Sequence, residues 1–387
     1  MKGLSKAIKN MDKTLFIITT LLFVFGLLNI VSASSQTSVL KYNSSLYNYF
    51  FKQLINIMIG VFASIFIIKT PTKSYKLLGP LIFILVAFSS LAVSLSNFGA
   101  TYSGSNNWIN IKGFTFQPSE FSKPIMIICV ALLFEKFYNK LRSPKVEQRE
   151  KYDMIFKIMF VGLFFPVIIF IQRDLGTMLV IVTIFAVLFL TSPILRKDKM
   201  KAVMIAIIVC FLGLIIYASK GNIFSKAQSS RFRFFNPCQY YETGGYQICN
   251  GFIAINSGGL VGNGIGQSKQ ISYIPESHTD SVFAIIAEQY GLIVTTIIFI
   301  LYAIVLKRIL SISSNSVNIR GRYISLGIAL YIFLHILINL GGLFGIMPLT
   351  GIPLPFLSYG GSFTISLVCS LAVVQRIAIE NKISNKG

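Results

Sequence analysis

Residues 273–291 read YIPESHTDSVFAIIAEQYG, and in this segment ionisable side chains stand directly before an apolar run. Glu276, His278 and Asp280 precede the segment 281–287, which is apolar apart from its first residue. Apolar residues dominate onward to about residue 306, a length that crosses roughly 30 Å of hydrocarbon as a helix. The pattern therefore predicts a membrane-spanning helix with a polar cluster at its mouth.

The rest of the chain repeats this apolar pattern. Its 387 residues are 54% hydrophobic and 12% charged, with a mean hydropathy of +0.71, which excludes a single water-soluble core. We expect one all-α polytopic membrane domain, residues 1–387, with ten transmembrane helices. Their approximate ranges are 14–33, 51–68, 77–95, 118–135, 154–171, 174–191, 201–219, 281–306, 323–345 and 358–375.

Lys and Arg decide the orientation of these helices, because basic residues are retained on the cytoplasmic side. Of the 35 basic residues, 25 fall in the tails and loops that share a side with the N-terminus. Both termini are therefore expected to be cytoplasmic. This topology and anionic lipid at that face explain the net charge of +22, and the sequence contains no soluble basic module that would bind nucleic acid.

One outer segment is long, at about residues 220–280 between the seventh and eighth spans. Its many glycines predict tight turns and a re-entrant segment that dips toward the bilayer, rather than a nucleotide loop, since no βαβ unit surrounds them. Cys238 and Cys249 share this segment, and an outer pair can oxidise. A disulfide between them is the hypothesis, and two free thiols are the open alternative.

Polar pairs mark the mouths of other spans. Glu120 and Lys123 are three residues apart, so they share a helical face and could form an ion pair that is either structural or functional. Asp174, in QRDLGT at 172–177, is expected to cap a helix at the surface. His335 and Asn339 are expected to hydrogen-bond to neighbouring helices, and two histidines on different spans make a zinc site improbable.

Asp280 and Glu288 differ in depth. Glu288 lies eight residues further along the helix, roughly 12 Å deeper, where a carboxylate needs a partner or a proton. Asp280 sits where the helix begins and can face both the headgroup layer and a water-filled cavity. It could cap the helix, act as a general base near neutral pH, or do both.

Four motifs together resemble the SEDS family (shape, elongation, division and sporulation), whose members include FtsW and RodA. They are NWINIKGFTFQPSEFSK at 107–123, QRDLGT, AINSGGLVGNGIGQSKQISYIPESHTDSVFAIIAE at 254–288, and MPLTGIPLPFLSYGGS at 347–362. Their form is more similar to FtsW, or its sporulation relative, than to RodA. Two departures are Gln289, where the family usually has a second acid, and Phe363, where a serine is common.

The resemblance implies a peptidoglycan glycosyltransferase that polymerises lipid II at the outer face of the cytoplasmic membrane. Asp280 matches the family's essential aspartate, and Trp108, Glu120 and Lys123 match its functional residues. Arg231 is our first candidate for binding the pyrophosphate. Lys112 and His278 complete the expected substrate-binding set.

The resemblance also implies a class B penicillin-binding protein as partner, within a division or elongation complex. A divalent cation such as Mg²⁺ or Mn²⁺ could assist departure of the pyrophosphate, although no metal ligands can be assigned. Two rival classes are a lipid II flippase and a noncatalytic division scaffold. The concentration of polar residues at the outer mouths favours chemistry there over passage through the bilayer.

Overall fold

The fold is a bundle of long helices with one small sheet. The structure, a computed structural model, describes residues 9–35, 45–95, 99–102, 105–111, 114–218, 234 and 236–385. The helices are α1 (Lys13–Ala33), α2 (Asn48–Lys69), α3 (Tyr75–Leu95), α4 (Pro118–Arg142), α5 (Gln148–Ile171), α6 (Leu175–Thr191), α7 (Arg196–Ala218), α8 (Tyr246–Gly258), α9 (Val282–Ser314), α10 (Ile319–Leu343) and α11 (Ser362–Ser384).

Each of the ten expected spans coincides with one of these helices, and α8 is additional. Among the described residues, seven helices are long and apolar enough to cross a membrane, and α6 is a shorter apolar helix. The chain is thus a polytopic membrane protein, while ten crossings remain a prediction. The last span starts and ends later than expected, because the loop before α11 continues to residue 361.

Helices α10 and α11 form the centre of the bundle, and most of their side chains are buried. Helix α4 packs on both of them, and α2 packs along α11. Close packing depends on small residues: a β-carbon at Gly60 of α2 would lie 2.9 Å from the Val368 side chain. The outward faces of α2 and α3 are apolar and exposed, as expected for helices that contact lipid.

A three-stranded antiparallel sheet between α3 and α4 was not predicted. Its strands are β1 (Gly99–Tyr102), β2 (Ser105–Ile111) and β3 (Phe114–Phe116), in the order β1-β2-β3. Trp108 on β2 pairs with Ala100, and Ile109 pairs with Phe116. The sheet ends just before Pro118, which occupies the first turn of α4, where proline's missing N–H costs nothing.

Helix α9 is broken, although the sequence predicted one continuous span at 281–306. Gly291 has φ 72° and ψ −173°, values outside the helical region. The turn after α8 fills the break: the amides of Asn263 and Gly264 donate to the carbonyls of Glu288 and Gln289 at 2.9 and 3.0 Å. We call residues 259–264 the re-entrant turn, because it pairs with backbone that lies six to eleven residues inside the start of α9.

The return bonds complete the pairing. The amides of Leu292 and Ile293 donate to the carbonyls of Gly259 and Leu260 at 2.9 and 3.2 Å. Backbone at this depth needs partners within the protein, since hydrocarbon supplies none. The geometry supports the expected re-entrant segment.

The first and last helices meet at one end of the bundle. The Lys382 ammonium donates to the carbonyl of Met11 at 2.8 Å, and the Gln375 side chain exchanges two bonds with the backbone of Asp12. The described ends of the chain therefore share one end of the bundle, as predicted. We call this the terminal end, and the opposite end, which contains Asp280, the site end.

Candidate active site

Asp280 lies at the site end and is 9% exposed. Its carboxylate Oδ1 accepts a hydrogen bond from Gln247 Nε2 of α8 at 3.1 Å, and Thr279 Oγ1 lies 3.4 Å away. The expectation that Asp280 caps α9 is wrong, because Ser281 occupies the N-cap position. Asp280 therefore precedes the N-cap, and its carboxylate contacts α8.

Helix α10 holds the backbone of Asp280 in place. Asn339 Nδ2 donates to the carbonyl of Asp280 and to that of Ile352, both at 2.8 Å. This amide therefore joins α10, the start of α9 and the loop 344–361. The predicted role of Asn339 as a hydrogen-bonding residue between elements is confirmed.

Lys123 of α4 forms a buried network with Glu120 and with His335, which lies one turn before Asn339 on α10. Its ammonium lies 2.7 Å from each carboxylate oxygen of Glu120, which confirms the predicted ion pair. It also lies 3.1 Å from His335 Nε2, and His335 Nδ1 lies 3.4 Å from the carbonyl of Pro353. Lys123 is 0% exposed, so its ammonium faces these groups in the structure and not solvent.

Phe363, one of the two departures from the family pattern, belongs to this network. Its ring stacks on His335, with centroids 4.6 Å apart and planes 11° from parallel. The Lys123 ammonium lies 5.9 Å from the centre of the same ring, within range of a cation–π interaction. The aromatic side chain at 363 therefore contacts both the imidazole and the ammonium of this network.

Glu288 and Gln289 occupy the deep part of α9, next to the break. Glu288 is 1% exposed and accepts from the Ser268 hydroxyl and from the backbone amide of Lys269 at 3.0 Å. The partner required at that depth is thus the segment that leads back from the re-entrant turn. Gln289, the second departure, donates to Ser32 Oγ of α1 at 2.6 Å, a structural contact between helices.

His278 is buried beside Asp280 and packs on aromatic rings. Its ring centroid lies 4.2 Å from that of Tyr49 on α2 and 5.8 Å from that of Tyr359. Its carbonyl accepts from the amide of Tyr359 at 2.9 Å. With 1% exposure, His278 shapes the site wall, and direct substrate binding by this residue remains a prediction.

The sheet brings Trp108 to the site end. The neighbouring Asn107 donates from Nδ2 to Asp174 Oδ2 at 2.6 Å, and Asp174 Oδ1 accepts from the amide of Thr177 at 3.0 Å. The predicted cap of α6 is confirmed, but Asp174 also anchors the sheet. Trp108 itself is half-buried, and its role in substrate binding remains a prediction.

Two expected substrate-binding residues, Arg231 and Lys112, lie outside the described residues. Cys238 and Cys249 are joined as a disulfide with Cα atoms 4.9 Å apart, as hypothesised. The bridge ties the start of α8 to the preceding chain. Of the other three cysteines, Cys129 and Cys369 are free thiols, and the side chain of Cys210 lies outside the described part.

Gln247 is the site residue that sequence reasoning missed. It stands 33 positions before Asp280, and no local pattern links a lone glutamine to a distant carboxylate. The only available signal was the apolar spacing of YQICNGFIAI at 246–255, which fits a helix inside the long loop. That helix places Gln247 over the start of α9.

These features define a polytopic membrane protein with a reaction or binding site at its surface. The helical bundle contains a buried acid–base pair, and at one end a partly buried carboxylate lies under a structured loop. Residues 12–383 match the model of the cell cycle protein family of FtsW, RodA and SpoVE. The chain belongs to this family.

Several relatives of known family can be aligned with nearly the whole chain. It is 32% identical to the probable peptidoglycan glycosyltransferase FtsW of Bacillus subtilis, covering 98% of this chain and 94% of the relative. It is also 32% identical to the stage V sporulation protein E of the same organism, covering 95% and 96%. Identity to the peptidoglycan glycosyltransferase MrdB of Escherichia coli K12 is 29%, covering 98% and 96%.

Two solved structures share the fold. One is a chain described under "Structural coordination of polymerization and crosslinking by a peptidoglycan synthase complex", with a TM-score of 0.68, 18% identity and coverage of 95% of this chain and 97% of that one. The other is the rod shape determining protein RodA of Thermus thermophilus, with a TM-score of 0.63, 20% identity and coverage of 95% and 96%.

Proposed function

We propose that this chain is a peptidoglycan glycosyltransferase that polymerises lipid II into glycan strands at the outer face of the cytoplasmic membrane. The observation that carries the proposal is the grip on Asp280: α8 holds its carboxylate through Gln247, and α10 holds its carbonyl through Asn339. A carboxylate fixed at the mouth of a span suits proton abstraction from a substrate that has sugar in water and isoprenoid in lipid. The family and the names of the relatives support the same activity.

The proposed reaction inverts the configuration at the anomeric carbon of the donor sugar. Asp280 accepts the proton of the acceptor 4-hydroxyl as its oxygen bonds to the anomeric carbon of the donor. The bond from that carbon to the α-linked pyrophosphate breaks on the opposite face, and the pyrophosphate leaves on its polyprenyl carrier. The product is a β-1,4 linkage, and one carboxylate suffices for the proton.

Departure of the pyrophosphate requires positive charge. Arg231 is the first candidate among the bases of the outer loop, and Lys112 is another candidate; both are chosen from the sequence. Lys123 can contribute at the surface only if it leaves Glu120 and His335, so we assign it to the support of the site.

A resident metal does not fit the described residues. They include no group of three or more His, Cys, Asp or Glu side chains that could hold an ion. A divalent ion such as Mg²⁺ or Mn²⁺ would instead arrive bound to the pyrophosphate of the substrate.

The expected partner is a class B penicillin-binding protein that crosslinks the new strand within a division or elongation complex. The fold likeness to a chain from a peptidoglycan synthase complex supports such a partner. The distribution of Lys and Arg supports cytoplasmic termini, with the site end outside. A site at the outer mouth is where a penicillin-binding protein on the membrane exterior could receive the product.

Purified full-length chain with labelled lipid II tests the proposal. We expect polymer from wild type and none from Asp280→Asn, which keeps the shape of the side chain but cannot accept the proton. Transfer of labelled lipid II across vesicle membranes without polymer would indicate a flippase. Neither activity, alone or with the partner protein, would indicate a scaffold.

A further inference from the structure

Gln247 contacts Asp280 from an element that is firmly held. Its Nε2 lies 3.1 Å from Asp280 Oδ1, 2.9 Å from Ser281 Oγ and 3.3 Å from the carbonyl of Pro275. One amide nitrogen thus joins the last turn before α9, the carboxylate and the N-cap of α9. Gln247 is half-buried, so it lines the site instead of lying beneath it.

Three features fix the position of Gln247. The disulfide to Cys238 anchors α8 at Cys249, two residues further on. A β-carbon at Gly245 would lie 1.8 Å from the carbonyl oxygen of Pro237, so the chain entering α8 is tightly packed. At the far end of α8, a β-carbon at Gly258 would lie 2.0 Å from the carbonyl of Ala287 on α9.

The opposite side of the carboxylate faces Gly351. A β-carbon at this glycine would lie 3.9 Å from Asp280 Oδ2, and φ there is 76°, which disfavours any side chain. The two oxygens of Asp280 therefore have different surroundings. Gln247 donates a hydrogen bond to Oδ1, and the backbone of the 344–361 loop faces Oδ2.

We propose that Gln247 is a positioning residue of the transfer reaction, which sets the rotation of the Asp280 carboxylate by donating to Oδ1. This inference rests on the proposed function. A general base must lie within hydrogen-bonding reach of the proton that it takes, and a misplacement of about 1 Å can cost on the order of 100-fold in rate. Backbone contacts such as that of Asn339 hold the residue in place but do not fix its side-chain torsions.

The test compares Gln247→Met with Asn250→Leu in full-length protein supplied with fluorescent lipid II. Methionine keeps the length of the side chain and removes the donor. Asn250 lies one turn further along α8, and its amide donates to the carbonyl of Tyr246 at 2.9 Å within the same helix, so its loss tests general loosening of α8. Retention of the disulfide and of the melting temperature shows that each variant is folded.

We expect Gln247→Met to lower kcat by about 10- to 100-fold with KM changed by less than about three-fold, and Asn250→Leu to stay within about three-fold of wild type in both. A purely structural role would raise KM or reduce the fraction of active enzyme. Full kcat in Gln247→Met beside an inactive Asp280→Asn would overturn this inference alone, and so would an equal loss in Asn250→Leu. Polymerisation that survives in Asp280→Asn would overturn the proposed function and this inference together.

Discussion

Replacing Lys123 with methionine should destabilise the protein far more than an ordinary loss of an ion pair. The ammonium lies within 3.1 Å of two carboxylate oxygens of Glu120 and of His335 Nε2, and these two partners are only 4% and 0% exposed. Removing one member of such a pair leaves an uncompensated buried charge, which costs roughly 3–5 kcal/mol. Lys123→Met is therefore expected to lower the free energy of unfolding by about this amount.

The double variant Lys123→Met with Glu120→Met separates this cause from lost packing. Both charges are then gone, so the double variant should be more stable than either single variant. Unfolding by SDS in mixed micelles, followed by circular dichroism, measures all three. Lys140→Met is the matched control, because Lys140 pairs with Glu150 at 2.5 Å on the surface, with its side chain 59% exposed, where pairs contribute about 0–1 kcal/mol.

Two results would refute the reasoning. A loss for Lys123→Met no larger than for Lys140→Met would mean that the buried ammonium is hydrated in solution. A double variant whose loss equals the sum of the single losses would mean that Lys123 and Glu120 are not coupled.

Three further predictions concern other parts of the chain. Burial raises the pKa of Asp12, but the hydrogen bonds from Arg308 and the Leu15 amide lower it by more, so the pKa lies below its ordinary value of 3.8. The ionised carboxylate is therefore favoured by folding. In SDS unfolding, the stability advantage of wild type over Asp12→Asn should be full above about pH 5 and should shrink as pH falls below about 4. Cys238→Ser should lower unfolding stability by about 3 kcal/mol, because the bridge closes a short loop, and thiol labelling should require reductant. Gly291→Ala should lower the melting temperature, since its β-carbon would lie 2.4 Å from backbone of the re-entrant turn.

Each of these has its own control or contradicting result. An advantage over Asp12→Asn that persists unchanged below pH 3 would show that the Asp12 carboxylate is not stabilised by folding. Labelling of both outer thiols without reductant would exclude the bridge. For Gly291→Ala, the control is Thr296→Ala on the exposed face of the same helix, and equal melting temperatures of the two variants would exclude a tightly packed turn.

The helices were predictable because apolar runs of about twenty residues leave few alternatives in a membrane chain. The Glu120–Lys123 pair was predictable because spacing of three on a helix brings side chains together. The hydrogen bonds of His335 and Asn339 were predictable because burying a polar side chain without a partner is costly. Each of these inferences uses local spacing, which the sequence contains.

The parts that were missed depend on contacts between distant segments. The break at Gly291 looks like continuous helix in sequence, because the residues that complete it lie about thirty positions earlier. The three-stranded sheet was missed because its strands are only three to seven residues long. Asn107 gains its role only by meeting Asp174. Gln247 and Asp280 meet for the same reason, through packing of α8 on α9.

The pairing of the re-entrant turn with the break in α9 has a consequence for biogenesis. The turn leaves the ribosome before the helix that it completes, since residues 259–264 precede residues 288–293. The interrupted span can therefore find its missing donors and acceptors as soon as it enters the bilayer. If the turn were on the C-terminal side of α9, this order would be reversed, and the backbone groups at the break would lack partners in lipid during synthesis.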